Sequence, residues 1–279
     1  MAEILHMKTR KVDIEQIHVY GCSMPAGDEL TVPRDKDYVP LAGKELLACE
    51  KSDKRQAFPK TVGDHFDIPV INNAFWGASN EQSAYILLED IMKQRIERNH
   101  AVFFCVTMIT RIMHFDKDDG HPMSLQLGKP DVLNKIADDE TIVNHYNDFK
   151  MLYQYYTTMH QVMLLCKSIG APLFFIPMYE HPTWNLMRDY IPYDRKLKKK
   201  PDIVRNEWKF RKIIDNIARE MNGVSLCINP IRIATFNWYT NSLEEKGKKY
   251  YSAGGHPNKY AHDQYAQRLI ELLTPEKAK

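Results

Sequence analysis

Ala101-Val102-Phe103-Phe104-Cys105-Val106-Thr107 is an unbroken apolar run of strand length that ends on a threonine. A strand with one wet face alternates polar and apolar residues. A run without alternation reads as a strand buried on both faces, the habit of parallel sheets covered by helices on either side. Immediately upstream, Asn80 to His100 reads as a helix, with Ala84, Ile86, Leu87, Leu88, Ile91, Met92 and Ile96 on an apolar stripe and Asn80 as its N-cap. Further upstream lie a short strand, Ile68–Ile71, and a strong one, Ile14–Tyr20, ended by Gly21.

The same alternation continues downstream. Glu140–Ser168 is a long helix pattern with Tyr153, Tyr156, Met159, Met163 and Cys166 on one side, stopped by Gly170. Pro172–Met178 is a second doubly buried strand, Ile203–Asn222 a helix closed by Asn222-Gly223, Val224–Ile228 a fifth strand and Asn258–Leu273 the last helix. Between them, Asp28–Asp67 is polar with weak helical character around Leu41–Glu50, Phe115–Asp139 is polar and irregular, and Tyr179–Asp202 is loop-like with Pro182, Pro192 and Pro201. Strands separated by helices form βαβ units. The expectation is one α/β domain over residues 1–279, three layers α/β/α around a short parallel sheet of about five strands, with insertions near 112–140 and 179–202 rimming the strand ends.

Composition narrows the function. The chain has 279 residues, 44% hydrophobic and 27% charged, enough apolar material for a large core and too much for a disordered chain. Lys plus Arg number 38 and Asp plus Glu 36, a net charge of +2, which gives no reason to expect nucleic acid as partner. No apolar run approaches the length of a membrane helix. Met1–Lys11 lacks the apolar core of a secretory signal, so a cytoplasmic location is expected. Cys22, Cys49, Cys105, Cys166 and Cys227 are odd in number, and three sit in apolar stretches. Reduced, buried thiols fit better than a disulfide framework, and the lack of a CxxC pair excludes a zinc ribbon.

In parallel α/β sheets chemistry gathers at the C-terminal ends of the strands. There the sequence has Gly21-Cys22-Ser23 after the first strand and Asn72-Asn73-Ala74-Phe75-Trp76-Gly77 after the second. Thr107, Thr110 and Arg111 follow the third, Glu180-His181 the fourth, and Gly254-Gly255-His256-Pro257-Asn258 precede the last helix. Three blocks in this order, Gly21–Gly27, Asn72–Gly77 with the following Ala78-Ser79-Asn80, and His256-Pro257-Asn258, resemble the SGNH (GDSL-like) hydrolase family. The variant is similar to that of large-bacteriophage proteins, so the resemblance allows a phage-encoded chain.

The resemblance implies a flavodoxin-like SGNH fold and a serine hydrolase that cleaves an acyl or acetyl ester through an acyl-serine intermediate. Ser23 stands where the family has its nucleophile, Gly77 where it has an oxyanion-hole glycine, and His256 where it has its base. Elementary chemistry agrees. A serine at a strand-to-helix turn sits among outward-pointing backbone N–H groups, and an imidazole that titrates near neutrality suits proton removal from its hydroxyl. The backbone N–H groups of Ser23 and Gly77 would hold the oxyanion. Such chemistry requires no cofactor and no metal. Implied substrates are small-molecule or glycan esters. Acyl transfer at the same Ser–His site, or a binding protein that kept the fold and lost activity, are the rival readings.

Two positions depart from the family pattern. Its Asp shortly before the base is replaced by Ala253 and Gly254, which leaves open Glu180 as the orienting acid or a Ser–His dyad. Its third-block Asn is absent, which leaves Thr107, Thr110 or Asn80 as an additional oxyanion donor. Read alone, Ser23 also fits a helix N-cap, His256 a loop histidine and Gly77 a turn glycine.

Arg111 fits a clamp for a carboxylate or phosphate on the substrate, or a surface ion pair. His114–His121 fails the calcium-loop spacing, because Gly120 falls one position early. His256 and His262 do not share a helix face and are not a metal pair. Arg195–Lys200, five charges in six residues, reads as a solvated loop.

Overall fold

The computed structural model describes residues 2–6, 10–27, 30, 54–108, 111–115, 120, 122–126, 148–178, 225–227 and 256–274. The central sheet holds five parallel strands: β3 (Gln16–Tyr20), β4 (Val70–Asn72), β5 (His100–Val106), β8 (Leu173–Pro177) and β9 (Ser225–Cys227), in the order β4-β3-β5-β8-β9. Counting only these five, the spatial order is 2-1-3-4-5, the flavodoxin-like arrangement. The chain turns one way from β3 to β4 and the other way to β5, so the crevice of the sheet opens between the ends of β3 and β5.

Alternate residues of each strand feed two separate cores. Ile17 and Val19 of β3, Ala101, Phe103 and Cys105 of β5, and Phe174 and Ile176 of β8 pack against α2 (Phe58–Phe66) and α5 (Lys259–Leu273). Tyr20, Val102, Phe104, Val106, Leu173 and Phe175 pack against α3 (Asn80–Met92) and α4 (Asp148–Ile169). This is the period of two in a strand buried on both faces, and it yields the α/β/α layers. Ring pairs repeat the alternation, with Phe103 edge-on to Phe174 at 5.3 Å on one side and Phe104 edge-on to Phe175 at 5.9 Å on the other. Each fully buried Phe contributes roughly 1.5–3 kcal/mol of transfer free energy.

Several elements depart from the sequence expectation. The helix after Ser79 ends at Met92 and does not run to His100, because Gln94 adopts a left-handed φ of 54° and breaks the ladder. Ile96 is buried from the loop that follows, which extends the apolar periodicity past the true end. The N-cap is Ser79, whose Oγ accepts from Gln82 N–H at 3.1 Å, and Asn80 is the first helical residue.

Ile14 closes a separate strand, β2 (Arg10–Ile14), which pairs antiparallel with β1 (Ala2–His6). Helix α2 lies inside the stretch read as polar. Its Pro59 sits in the first turn, where a missing N–H costs nothing, and its Gly63 lets Val70 of β4 approach closely. The stretch read as irregular from Phe115 holds β7 (Pro122–Gln126), which pairs antiparallel with β6 (Arg111–Phe115) just before it. The helix expected over 203–222, the loop over 179–202 and the cluster Arg195–Lys200 lie outside the described residues.

Cys22, Cys105 and Cys166 are buried free thiols, and burial pushes those of Cys105 and Cys166 above the usual range. No helix among the described residues is long and apolar enough to cross a membrane.

Candidate active site

Strand β3 ends at Tyr20, and one helical turn, α1 (Ser23–Ala26), starts three residues later with Cys22 as its N-cap. Ser23 is therefore not the cap. It is the first helical residue, 1% exposed, at the mouth of the crevice. Gly21 allows the close passage: a Cβ there would lie 2.7 Å from Cys105 Cβ and 2.8 Å from Cys105 O. The parallel register pairs Tyr20 with Phe104, and the close approach of Gly21 to Cys105 continues it by one residue.

His256 arrives from the far end of the chain. Asn258 caps α5 by accepting from Ala261 N–H at 3.1 Å, and Pro257 is buried, so the preceding histidine is held at the start of a fixed helix. Its Nε2 lies 3.0 Å from Ser23 Oγ, across 233 residues of sequence. When the serine hydroxyl donates to Nε2, the ring proton is on Nδ1.

The loop after β4 is laced to the first block. Asn73 N–H donates to Val19 O at 2.8 Å and Phe75 N–H to Gly21 O at 3.1 Å. Asn72 Nδ2 donates to Pro25 O at 2.7 Å and its Oδ1 accepts from Ala74 N–H at 3.1 Å. Gly77, with φ +77°, then turns the chain toward α3, and a Cβ there would meet nothing within 4 Å. Among the described residues the backbone N–H groups of Ser23 and Gly77 have no backbone acceptor. Trp76, 52% exposed, stands beside Gly77 on the rim.

Behind this loop is a polar knot that the sequence reading missed. Asp90 Oδ2 accepts from Tyr20 O–H at 2.7 Å and from Asn73 Nδ2 at 2.8 Å, while its Oδ1 pairs with Arg95 at 3.0 Å. The end of β3, the loop after β4 and helix α3 are thus tied to one buried carboxylate. A helical stripe conceals such a residue, because Asp90 looks like an ordinary surface position until the tyrosine opposite is known.

Asn80 is buried and clamps the end of β5. Its Nδ2 donates to Thr107 O at 3.1 Å and its Oδ1 accepts from Thr107 N–H at 2.8 Å. The amide thus takes the place of a neighbouring strand, and the Thr107 N–H is occupied. Arg111 NH1 donates to Thr107 Oγ1 at 3.4 Å. Glu180, Thr110, Gly254 and Gly255 lie outside the described residues. Among the described residues no cluster of three ligating side chains could hold a metal ion.

His262 is fully buried on α5, where its Nδ1 accepts from Phe58 N–H at 3.1 Å and its ring stacks on Phe58 at 5.9 Å. It joins the last helix to α2 and takes no part with His256 in a ligand pair. Burial, with Lys259 and His256 adding to it, lowers its pKa to about 3. Burial and the neighbouring His100, stacked at 5.3 Å, lower that of His18 to about 4. Both rings are neutral when folded and take up a proton near pH 6.5 when unfolded. Acid therefore favours the unfolded chain. Stability is full above about pH 6.5 and falls by up to about 1.4 kcal/mol per pH unit for each histidine on the way down. Urea unfolding of His262→Gln between pH 7 and 4.5 should show a clearly shallower loss than the native chain. Equal slopes would mean that His262 protonates freely within the fold.

No family model and no curated protein matches the sequence. Solved structures do resemble the fold. One is a lipolytic protein of the G-D-S-L family from Veillonella parvula, at 10% identity and TM-score 0.46, with 92% of this chain and 97% of that one covered. Another is a psychrotrophic esterase from Pseudoalteromonas sp., at 13% identity and TM-score 0.45, covering 92% and 95%. A third is an acetylxylan esterase from Geobacillus stearothermophilus, at 14% identity and TM-score 0.45, covering 95% and 97%.

Proposed function

We propose that this chain is an SGNH-type serine hydrolase that cleaves esters through an acyl-serine intermediate. The observation that carries the reading is the 3.0 Å approach of His256 Nε2 to Ser23 Oγ at the switch point of a parallel sheet. Ser23 Oγ attacks the ester carbonyl carbon while its proton passes to Nε2. The resulting oxyanion takes hydrogen bonds from the N–H groups of Ser23 and Gly77. The C–O bond to the alcohol breaks, and the alcohol leaves with the proton from Nε2. Water, deprotonated by the same nitrogen, then attacks the acyl-serine and releases the acid and the serine. Asn80 serves this chemistry by fixing the end of β5. Trp76 offers a flat apolar surface for the acyl chain or for a sugar ring, in keeping with small-molecule or glycan esters. The reaction uses neither cofactor nor metal.

The test is labelling with a fluorophosphonate probe. The folded native chain should be labelled, and both Ser23→Ala and His256→Ala should lose the label. A well-folded native chain that takes no label would overturn the reading in favour of a binding protein on the same fold. A labelled chain that passes its acyl group to an added alcohol faster than to water would be an acyltransferase.

A further inference from the structure

We infer that Arg111 selects esters carrying an anionic oxyacid group, a carboxylate or a phosphate, beside the bond that Ser23 attacks. The inference rests on the hydrolase reading and narrows its substrate class. Just beyond β5, Arg111 N–H donates to Met108 O at 3.4 Å. Arg111 therefore opens β6 at the same end of the sheet as Ser23. Its NH1 rests on Thr107 Oγ1 at 3.4 Å, and Thr107 follows the end of β5, the strand paired with β3 beside the crevice. Adjacent strands lie about 4.8 Å apart, so the guanidinium and the serine belong to the neighbouring ends of β5 and β3.

Both supports of this arginine are rigid. Asn80 binds Thr107 through both of its backbone groups. The β6–β7 pair is fastened to α3, with Ser79 N–H donating to Ser124 Oγ at 2.6 Å, Ser124 Oγ to Gln82 Oε1 at 2.5 Å, and Gln82 Nε2 to Pro122 O at 2.5 Å. Arg95 and Arg268 pair with Asp90 and Glu271. Arg111, half-buried, pairs with no carboxylate among the described residues. A partly desolvated guanidinium whose one side-chain partner among the described residues is a neutral hydroxyl is under-satisfied there. It keeps most of its five N–H donors for a ligand, in a fork that matches two oxygens of a carboxylate or phosphate.

Three acetyl esters of one shape test this on the full chain: 4-acetoxybenzoate, 4-acetoxyphenyl phosphate and the neutral 4-acetoxybenzamide. The readout is the ratio of kcat/KM for each anionic ester to that for the neutral one, which is independent of the active fraction in a preparation. A hydrogen bond to a charged group predicts a native ratio of about ten or more for at least one anion. The ratio should fall to about one in Arg111→Ala and remain intermediate in Arg111→Lys. Preference for the benzoate alone identifies a carboxylate ligand, and preference for the phosphate alone a phosphoryl ligand. Turnover of the benzamide with a native ratio near one overturns the inference and leaves the hydrolase reading standing, whatever the variants do. An unchanged ratio in folded Arg111→Ala overturns it as well. Failure of all three esters, together with failure of phosphonate labelling, overturns the hydrolase reading and the inference with it.

Discussion

His256→Ala is expected to slow ester hydrolysis by about 10³-fold or more, which corresponds to about 4 kcal/mol of lost transition-state stabilisation. Without the ring, Ser23 must lose its proton to water, and the departing alcohol has no acid. The fold should survive, since His256 lies in a loop and contributes to neither hydrophobic core. Asn258 still caps α5 through Ala261 N–H, and Pro257 is untouched. The deleted ring leaves an imidazole-sized space 3.0 Å from Ser23 Oγ. Added imidazole should therefore restore part of the rate, and the restored rate should follow the neutral fraction of free imidazole as pH changes. The measurements are kcat/KM on an aryl acetate, with and without imidazole, beside a thermal melt. A variant that keeps its melting temperature and more than a tenth of the native rate would remove His256 from the mechanism.

Gly21→Ala should damage stability and activity together. The added methyl would sit 2.7 Å from Cys105 Cβ, 2.8 Å from Cys105 O and 3.0 Å from Pro25 Cγ, at φ +153°. Two of these atoms belong to the neighbouring strand and cannot swing aside as a side-chain tip could. Strands β3 and β5 would have to part where Gly21 passes Cys105, two residues before Ser23. Overpacking of this kind costs about 3 kcal/mol, out of roughly 5–15 kcal/mol of total stability. For a chain of this size that lowers Tm by roughly 6–12 °C. Gly77→Ala is the contrast, since its methyl meets nothing within 4 Å and only the positive φ opposes it, a cost of roughly 1–2 kcal/mol. Comparable melting temperatures for the two variants would show that conformation, and not space, makes Gly21 a glycine.

What could be read from sequence follows from how local the physics is. The doubly buried strands β5 and β8 announced themselves, because a parallel strand between two helical layers has no wet face and so no alternation. The last helix was legible from Asn258 onward, since cap and apolar stripe lie within one short window. Helix α2 was not, because Pro59 and Gly63 are poor helix residues that this helix uses at its first turn and against Val70. The site divides in the same way. Ser23, Gly77 and His256 stand at strand ends and glycine turns, which the sequence displays. The Asp90 knot and the clamp of Asn80 on Thr107 join residues from different elements, Tyr20 and Asp90 being 70 positions apart. No window of sequence contains such a pair.

The bond from Phe58 N–H to His262 Nδ1 spans 204 residues, and the approach of His256 to Ser23 spans 233. One of the two cores takes Tyr265, Ala266, Leu269, Ile270 and Leu273 from the final helix. On a ribosome adding about 5–20 residues per second, the serine emerges roughly 10 to 50 s before its histidine. During that interval the apolar face of β3 and β5 that α2 and α5 share lacks the cover of α5. A nascent chain stalled before residue 256 would expose part of that face and lack the partner of Ser23, so the Ser23–His256 contact and closure of this core wait for the same stretch of chain.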